Sequence, residues 1–330
     1  MKKLNYIVLY LTLVVSGCSD LLINEPQTNK NIEDFETAFN LTKNIYPFIE
    51  FKEIDMDSLY LEYRKQAEDA KGDEIYQVFY NFFKEFRDGH IKIKIEGGYS
   101  IPTFIWPRKK DSKTFNPIVV RNYFKNELKL AGNENIAYEI LQDKIGYVHL
   151  STFSDGNWVQ EFGKVLEYLS GTTGLIIDVR NNTGGNASTA EYIISYFINE
   201  QVNYSFYYIS KPELKRSIYP NNSLKYEKPI VVLINGASFS TAELFPELLR
   251  QLPNITIIGD TTGGGGGSPD DFNLPSGKKI ELPEKYIVRL DGEMLEWNGI
   301  IPDIVIEQSE EDIANKKDKQ LEYAVNYLQN

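Results

Sequence analysis

The spacing of apolar residues changes character twice along the chain. From 31 to about 87 they recur every three or four positions, as in Ile75, Val78, Phe79, Phe82, Phe83 and Phe86, which predicts helices packed by one face. Asp57 and Asp73 stand where helix N-caps belong. At Ile91 the period drops to two: Ile91-Lys92-Ile93-Lys94-Ile95 reads as a half-buried strand, followed by the breakers Gly97-Gly98 and Pro102. From Ile145 onward short apolar runs alternate with helical faces. Strands are predicted at 145–150, 175–179, 230–234 and 255–258, and the unbroken runs among them suit strands covered on both sides. Trp158, Val159, Phe162, Val165, Leu166 and Leu169 mark one helical face. Further helices are predicted over 191–198 and 241–252, the latter bent at Pro246, and a last one carries Leu321, Ala324, Val325 and Leu328. This alternation predicts an α/β core with its sites in loops at strand ends. The chain divides on this reading into a helical domain (31–90), a small β-rich segment (91–140) and the α/β core (141–330), with no internal repeat.

Composition narrows the functions. A hydrophobic content of 42% with 25% charged residues is that of a folded protein, and a net charge of −12 excludes a nucleic-acid surface, which needs a basic face. Peptides, sugars and small molecules stay open. The leader has basic Lys2 and Lys3 and an apolar stretch over 6–15, too short to span a bilayer. It ends in Val14-Val15-Ser16-Gly17-Cys18, which resembles a bacterial lipoprotein lipobox. That resemblance implies a signal peptide over 1–17, a diacylglycerol anchor on Cys18, a tether to residue 30, and residence on a membrane of the cell envelope. Cys18 is the single cysteine, so neither a disulfide nor a thiolate metal cluster is available.

Three junctions could carry chemistry. Of the two histidines, His149 sits within a predicted strand, whereas His90 ends Phe86-Arg87-Asp88-Gly89-His90, where helix gives way to strand. The run from Ile230 to Glu243 passes from a buried strand through a tight turn into a helix, and a serine there faces the positive end of the helix dipole. Spacing does not choose between Ser238 and Ser240. It is not the G-x-S-x-G elbow of the α/β hydrolases. The third junction is Asp178-Val179-Arg180-Asn181-Asn182-Thr183-Gly184-Gly185. Its bare glycine amides suit an oxyanion, while Asp178 and Arg180 read as a structural pair. The five glycines Gly263 to Gly267 suggest a phosphate cradle, but Ser268-Pro269-Asp270-Asp271 follows where a Walker loop needs lysine and a helix, and no dinucleotide fingerprint forms. A glycan-binding lipoprotein would need an all-β pattern, which is not seen.

Together Arg87-Asp88-Gly89-His90, the Asp178 to Gly185 block, Ser238-Phe239-Ser240-Thr241-Ala242-Glu243 and the segment Leu295 to Asp303 resemble, in order, the signature blocks of the tail-specific, or C-terminal processing, serine peptidases. The resemblance spans nearly all of the mature chain and implies a crotonase/ClpP-like ββα-superhelix core without a PDZ module; the stretch between His90 and Ile145 is too short for one. It further implies Ser240 as nucleophile, the Thr241 amide and one of Gly184 and Gly185 as oxyanion hole, and Gly264, Gly265 and Gly266 along a bound peptide. The lysine base of the processing branch would fall at Gly265, so the resemblance points to the tricorn-like branch, with His90 as base and Glu296 as its orienting acid. Gly89 stands where tricorn has serine. The substrate expected is a peptide or protein, with no metal or cofactor. A relative that only captures peptides or apolar ligands is the alternative.

Overall fold

The computed structural model describes residues 29–330; the leader and Cys18 lie outside the described residues. The chain opens with helices α1 (Lys30–Ile45), α2 (Met56–Asp69) and α3 (Glu74–Lys84). Asn29 and Asp55 cap the first two by accepting amide protons from Asn31 and Ser58. The cap predicted at Asp57 lies two residues too late, in the first turn of α2, because Asp55 takes the amide instead. Short strands β1 (Lys92–Lys94) and β2 (Ser100–Pro102) follow, then α4 (Pro117–Arg121), β3 (Lys129–Ala131) and β4 (Ile136–Ile140).

The remaining chain alternates: β5 (Ile145–Leu150), α5 (Phe162–Leu169), β6 (Gly174–Asp178), α6 (Ala187–Ile194), the hairpin β7 (Val202–Phe206) and β8 (Leu214–Ile218), β9 (Ile230–Ile234), α7 (Thr241–Leu249) and β10 (Ile255–Gly259). A second hairpin, β11 (Gly267–Asn273) with β12 (Lys279–Tyr286), precedes β13 (Ile304–Val305), α8 (Glu310–Ala314) and α9 (Lys319–Gln329). The predicted helix over 191–198 begins earlier, at Ala187, because Asn186 accepts the Ser188 amide and starts it there.

The central sheet has the order β13-β10-β9-β6-β5-β4-β3. Its first five strands run parallel, and β4 and β3 close one edge antiparallel. Successive side chains leave a strand on opposite faces, and the apolar runs exploit both. Leu175, Ile177, Ile230, Val232 and Ile234 join the core under α5, α6 and α7. Ile176, Val231 and Leu233 join the core under α4 and α9. The α/β class expected from the alternation is therefore the observed one.

The division at 91–140 does not follow the sheets. β3 and β4 belong to the central sheet, whereas β1 and β2 extend the later hairpin into a second sheet, β11-β12-β1-β2. Residues 35–93 share one aromatic-rich core with Leu274, Ile280 and Leu282 of that hairpin. Hairpin register fixes Lys92 opposite Glu281 and Ile93 opposite Ile280, which ties the segment carrying His90 to the far end of the chain.

Candidate active site

Loops at the carboxyl ends of the adjacent strands β6 and β9 build the site. They are knitted by side chains: Asn235 Nδ2 donates to Asn181 Oδ1 (2.9 Å), and Ser238 Oγ donates to the Val179 carbonyl (2.8 Å). Ser238 is fully buried and its hydroxyl also accepts the Asn235 amide proton. That leaves Ser240 as the serine that faces open space. It heads α7 with φ 59° and ψ −123°, a conformation that costs a residue bearing a Cβ on the order of 1–3 kcal/mol. Surroundings must hold it, and Glu243 does. Its buried carboxylate accepts from the amides of Ser240 (2.7 Å), Gly264 (2.8 Å) and Gly265 (2.7 Å), and from the Thr262 hydroxyl (2.5 Å). The glutamate of the Ser-x-Ser-x-x-Glu block thus anchors both the nucleophile turn and the glycine loop.

Ser240 opens onto a groove of about 880 Å³, lined also by Thr241, Gly185, Gly265 and Gly266. Of the two glycines at the end of β6, Gly184 has its N–H committed to Asn182 Oδ1 (2.8 Å). Hydrogen bonds among the described residues leave the amides of Gly185 and Thr241 without an acceptor, and the latter is a first-turn amide of α7. Both glycines are required by space. A Cβ on Gly184 would lie 2.8 Å from that of Ser240, and one on Gly185 would lie 2.1 Å from the Phe153 carbonyl carbon.

The glycine run separates two cavities. Gly265, Gly266 and Gly267 wall the Ser240 groove, whereas Gly263 and Gly264 line a separate cavity of about 350 Å³ with Trp106, Trp297 and Arg87. Gly264 is therefore not placed along the groove. Nor are the amides of Gly264, Gly265 and Gly266 free for a substrate strand, because Glu243 takes two and Glu296 Oε2 takes the third (2.9 Å). The bare backbone serves a different purpose: it accommodates the Phe239 ring. A Cβ on Gly265 would come within 2.4 Å of that ring, and one on Gly263 within 2.7 Å.

Phe239 is sandwiched between Trp106 (centroids 3.9 Å, 14° between planes) and His90 (4.7 Å, 29°). His90 is buried, 6% exposed, and neither ring nitrogen has a hydrogen-bond partner. No hydrogen bond joins it to Ser240. The carboxylate nearest its ring is Asp88, whose Oδ1 lies 3.7 Å from Nδ1 and accepts the His90 amide proton at 2.8 Å. Glu296, the acid expected to orient His90, does not pair with it. Its oxygens are engaged by Lys52 Nζ (2.5 Å) and the Gly266 amide. Lys52 also meets Asp88 Oδ2 (3.4 Å) and the Tyr46 hydroxyl (2.8 Å).

Burial, and then the charge of Asp88, push the Glu296 carboxyl up to about 8, against the pull of Lys52. Burial also opposes ionisation of Asp88, but Lys52 and His90 outweigh it and hold that carboxyl well below the usual range. Two buried carboxyl groups thus share one buried ammonium, and of the two it is Asp88 that is held ionised.

Other groups are accounted for. Asp178 and Arg180 form the expected structural pair, doubly bonded and extended to Asp318 (2.9 Å), all fully buried. Lys278 pairs with Asp34 of α1 (3.6 Å). The groove contains Lys94 and Lys285, but Lys285 is bound to Asp270 (2.6 Å) and Lys94 to Glu281 and Asp271. Burial draws the Lys94 ammonium down, yet Glu281 and Asp271 more than offset it and hold it above the ordinary lysine range, where it cannot serve as a base. Lys52 and the stacking role of Phe239 have no sequence signal of their own, whereas Asp88 stands in the histidine block and could have been weighed.

Comparison with known proteins agrees with this architecture. The model of peptidase family S41 matches residues 144–306. The chain belongs to that family. Carboxy-terminal processing protease CtpB of Bacillus subtilis is 26% identical over 234 residues, 68% of this chain and 46% of CtpB. Tricorn protease of Thermoplasma acidophilum is 29% identical over 198 residues, 59% of this chain and 18% of tricorn. The chain thus spans less than half the length of these relatives. A crystal structure of a candidate peptidase from Parabacteroides merdae superimposes with a TM-score of 0.77 at 27% identity, covering 91% of this chain and 96% of that one. That coverage is far wider than the family-model segment.

Proposed function

We propose that the chain is a serine peptidase in which Ser240 is the nucleophile and His90 the general base. The observation that carries the reading is the strained turn at Ser240, held by Glu243 at the head of a buried helix and opening onto the groove. Ser240 Oγ attacks the carbonyl carbon of a peptide bond as His90 Nε2 takes its proton. The oxyanion is received by the Thr241 and Gly185 amides, both unspent and both beside Ser240. His90 returns the proton to the leaving amine, and water then cleaves the acyl-enzyme by the same route. With the proton on Nδ1 facing Asp88, the Nε2 lone pair is free to act. Buried nitrogens without partners are costly to keep, and apo catalytic hydrogen bonds commonly close only around substrate.

Peptide or protein in the cell envelope is the substrate class proposed, with the chain held to a membrane by lipid on Cys18. Among the described residues no helix is long and apolar enough to cross one. A fluorophosphonate probe tests the nucleophile. Wild type labels on Ser240, and Ser240→Ala loses both labelling and peptide hydrolysis while its unfolding stays cooperative. An unlabelled wild-type protein would instead make it a peptide- or apolar-ligand-binding member of the family.

A further inference from the structure

The groups around His90 come from segments far apart in sequence, and one side chain joins them. Lys52 sits in the turn after α1, 2% exposed. Its Nζ contacts Asp88 Oδ2, Glu296 Oε1 and the Tyr46 hydroxyl, and lies 3.4 Å from the Arg87 carbonyl. Asp88 receives the Tyr46 hydroxyl at 2.7 Å and holds the His90 backbone. Glu296 holds the Gly266 amide in the wall of the Ser240 groove. The aromatic rings of Phe48 and Trp297 close over the ammonium (5.2 Å each), and the Arg87 guanidinium also lies over the Trp297 ring (4.7 Å).

We infer that Lys52 is a positioning residue for the base: it fixes Asp88 in the ionised, His90-facing arrangement and couples that arrangement, through Glu296, to the groove wall. This rests on the reading of Ser240 and His90 above. The physical reason is charge balance. A carboxylate buried beside a second carboxyl group does not stay ionised without a cation. Lys52 is the cation whose ammonium both of them contact. Without it Asp88 takes up a proton or turns away, and the imidazole loses the charged carboxylate that faces Nδ1 at 3.7 Å and favours the proton on that nitrogen. Gly89 precedes the histidine where tricorn has serine, and the ion cluster supplies support that glycine cannot. Charged and titratable groups facing the cluster are Tyr46, Lys52, Arg87, Asp88, His90 and Glu296, and no others are needed for the sign below.

Two readouts test this. The first needs no turnover. In a His149→Gln background His90 is the lone histidine of the chain, and its imidazole nitrogens are read by proton–nitrogen correlation spectroscopy without substrate. The unsubstituted cluster gives one fixed tautomer; Lys52→Met gives an averaged tautomer signal, and Lys52→Arg restores the fixed one. If Lys52→Met fails to fold, Lys52→Met/Glu296→Gln removes the second buried carboxyl together with the cation, and the same averaging is expected in it. An unchanged tautomer in either folded variant overturns the assignment, whatever Ser240 does.

The second readout is hydrolysis. Lys52→Met loses about 10²-fold in kcat with KM nearly unchanged. Its acidic limb moves to higher pH, because Asp88 without its cation ionises later. A merely structural lysine would lower thermal stability and leave that limb in place, and such a result also overturns the assignment. Loss of labelling at Ser240 in wild type with the tautomer effect intact would instead refute only the peptidase reading.

Discussion

Replacing Glu243 by glutamine tests how the nucleophile turn is held. Each carboxylate oxygen receives two donors: Oε1 the Thr262 hydroxyl and the Gly264 amide, Oε2 the Ser240 and Gly265 amides. Glutamine changes one oxygen into an NH2 group of the same size, so in either orientation two donors face a third. Two bonds to a charged acceptor are lost, at roughly 1.5–3 kcal/mol each, and the buried donors keep no replacement. The expected loss is therefore about 3–6 kcal/mol, at the severe end of point substitutions. Urea unfolding followed by fluorescence reads it as a fall in midpoint with unchanged slope. Fluorophosphonate labelling at low urea, where the variant is folded, should slow as well, because Ser240 no longer has its amide anchored. Burial raises the Glu243 carboxyl above its ordinary range, and its hydrogen bonds from Thr262, Gly265, Gly264 and Ser240 pull it back. A Glu243→Gln protein within about 1 kcal/mol of wild type would mean that the group carries a proton, and would refute the reasoning.

Three further outcomes follow from the same geometry. Glu296 has a folded pKa of about 8, raised by burial and by Asp88, so folding takes up a proton between the ordinary carboxyl range and pH 8. Stability should fall as pH rises through that window, by at most about 1.4 kcal/mol per unit. Glu296→Gln should flatten the slope in pH-dependent urea midpoints, and an unaltered slope would assign it to another group. Gly265→Ala drives a methyl to 2.4 Å from the Phe239 ring. It should cost about 1–3 kcal/mol and slow labelling of Ser240, because the displaced ring also supports His90; an unaltered labelling rate counts against that support. Ser240→Gly should be more stable than Ser240→Ala by about 1–2 kcal/mol, since glycine adopts φ 59° freely, and calorimetry of the two inactive proteins decides it.

The central sheet was legible because its strands are written as short runs of β-branched and aliphatic residues, Ile230 to Ile234 above all, covered on both faces. Helical faces such as 158–169 were legible for the same reason. The hairpin of β11 and β12 was not. Pro269 and Pro283 interrupt it, a bulge shifts its register, and Asp270-Asp271 breaks the alternation on a partly exposed strand. Ser240 could be separated from Ser238 only through resemblance, and the structure supplies the cause: Ser238 is spent inside the turn. His90 was visible as a junction residue, but its acid partner depends on which side chains meet in space. Lys52 illustrates the limit. A single lysine in a turn reads as solvated until three distant segments converge on its ammonium.

The second sheet has a temporal meaning. Lys92 bonds Glu281 across 189 positions, and the core beneath His90 is completed by Leu274, Ile280 and Leu282. A growing chain emerges N-terminus first, so the helices that precede His90 are made long before the hairpin that seats it. Pairing over so long a range is slow to form, because the loop-closure entropy comes first. Ser240 and the glycine loop must both have been synthesised before the strand that pairs with the His90 segment exists. A chain cut before β12 therefore lacks the strand against which β1, directly after His90, is paired.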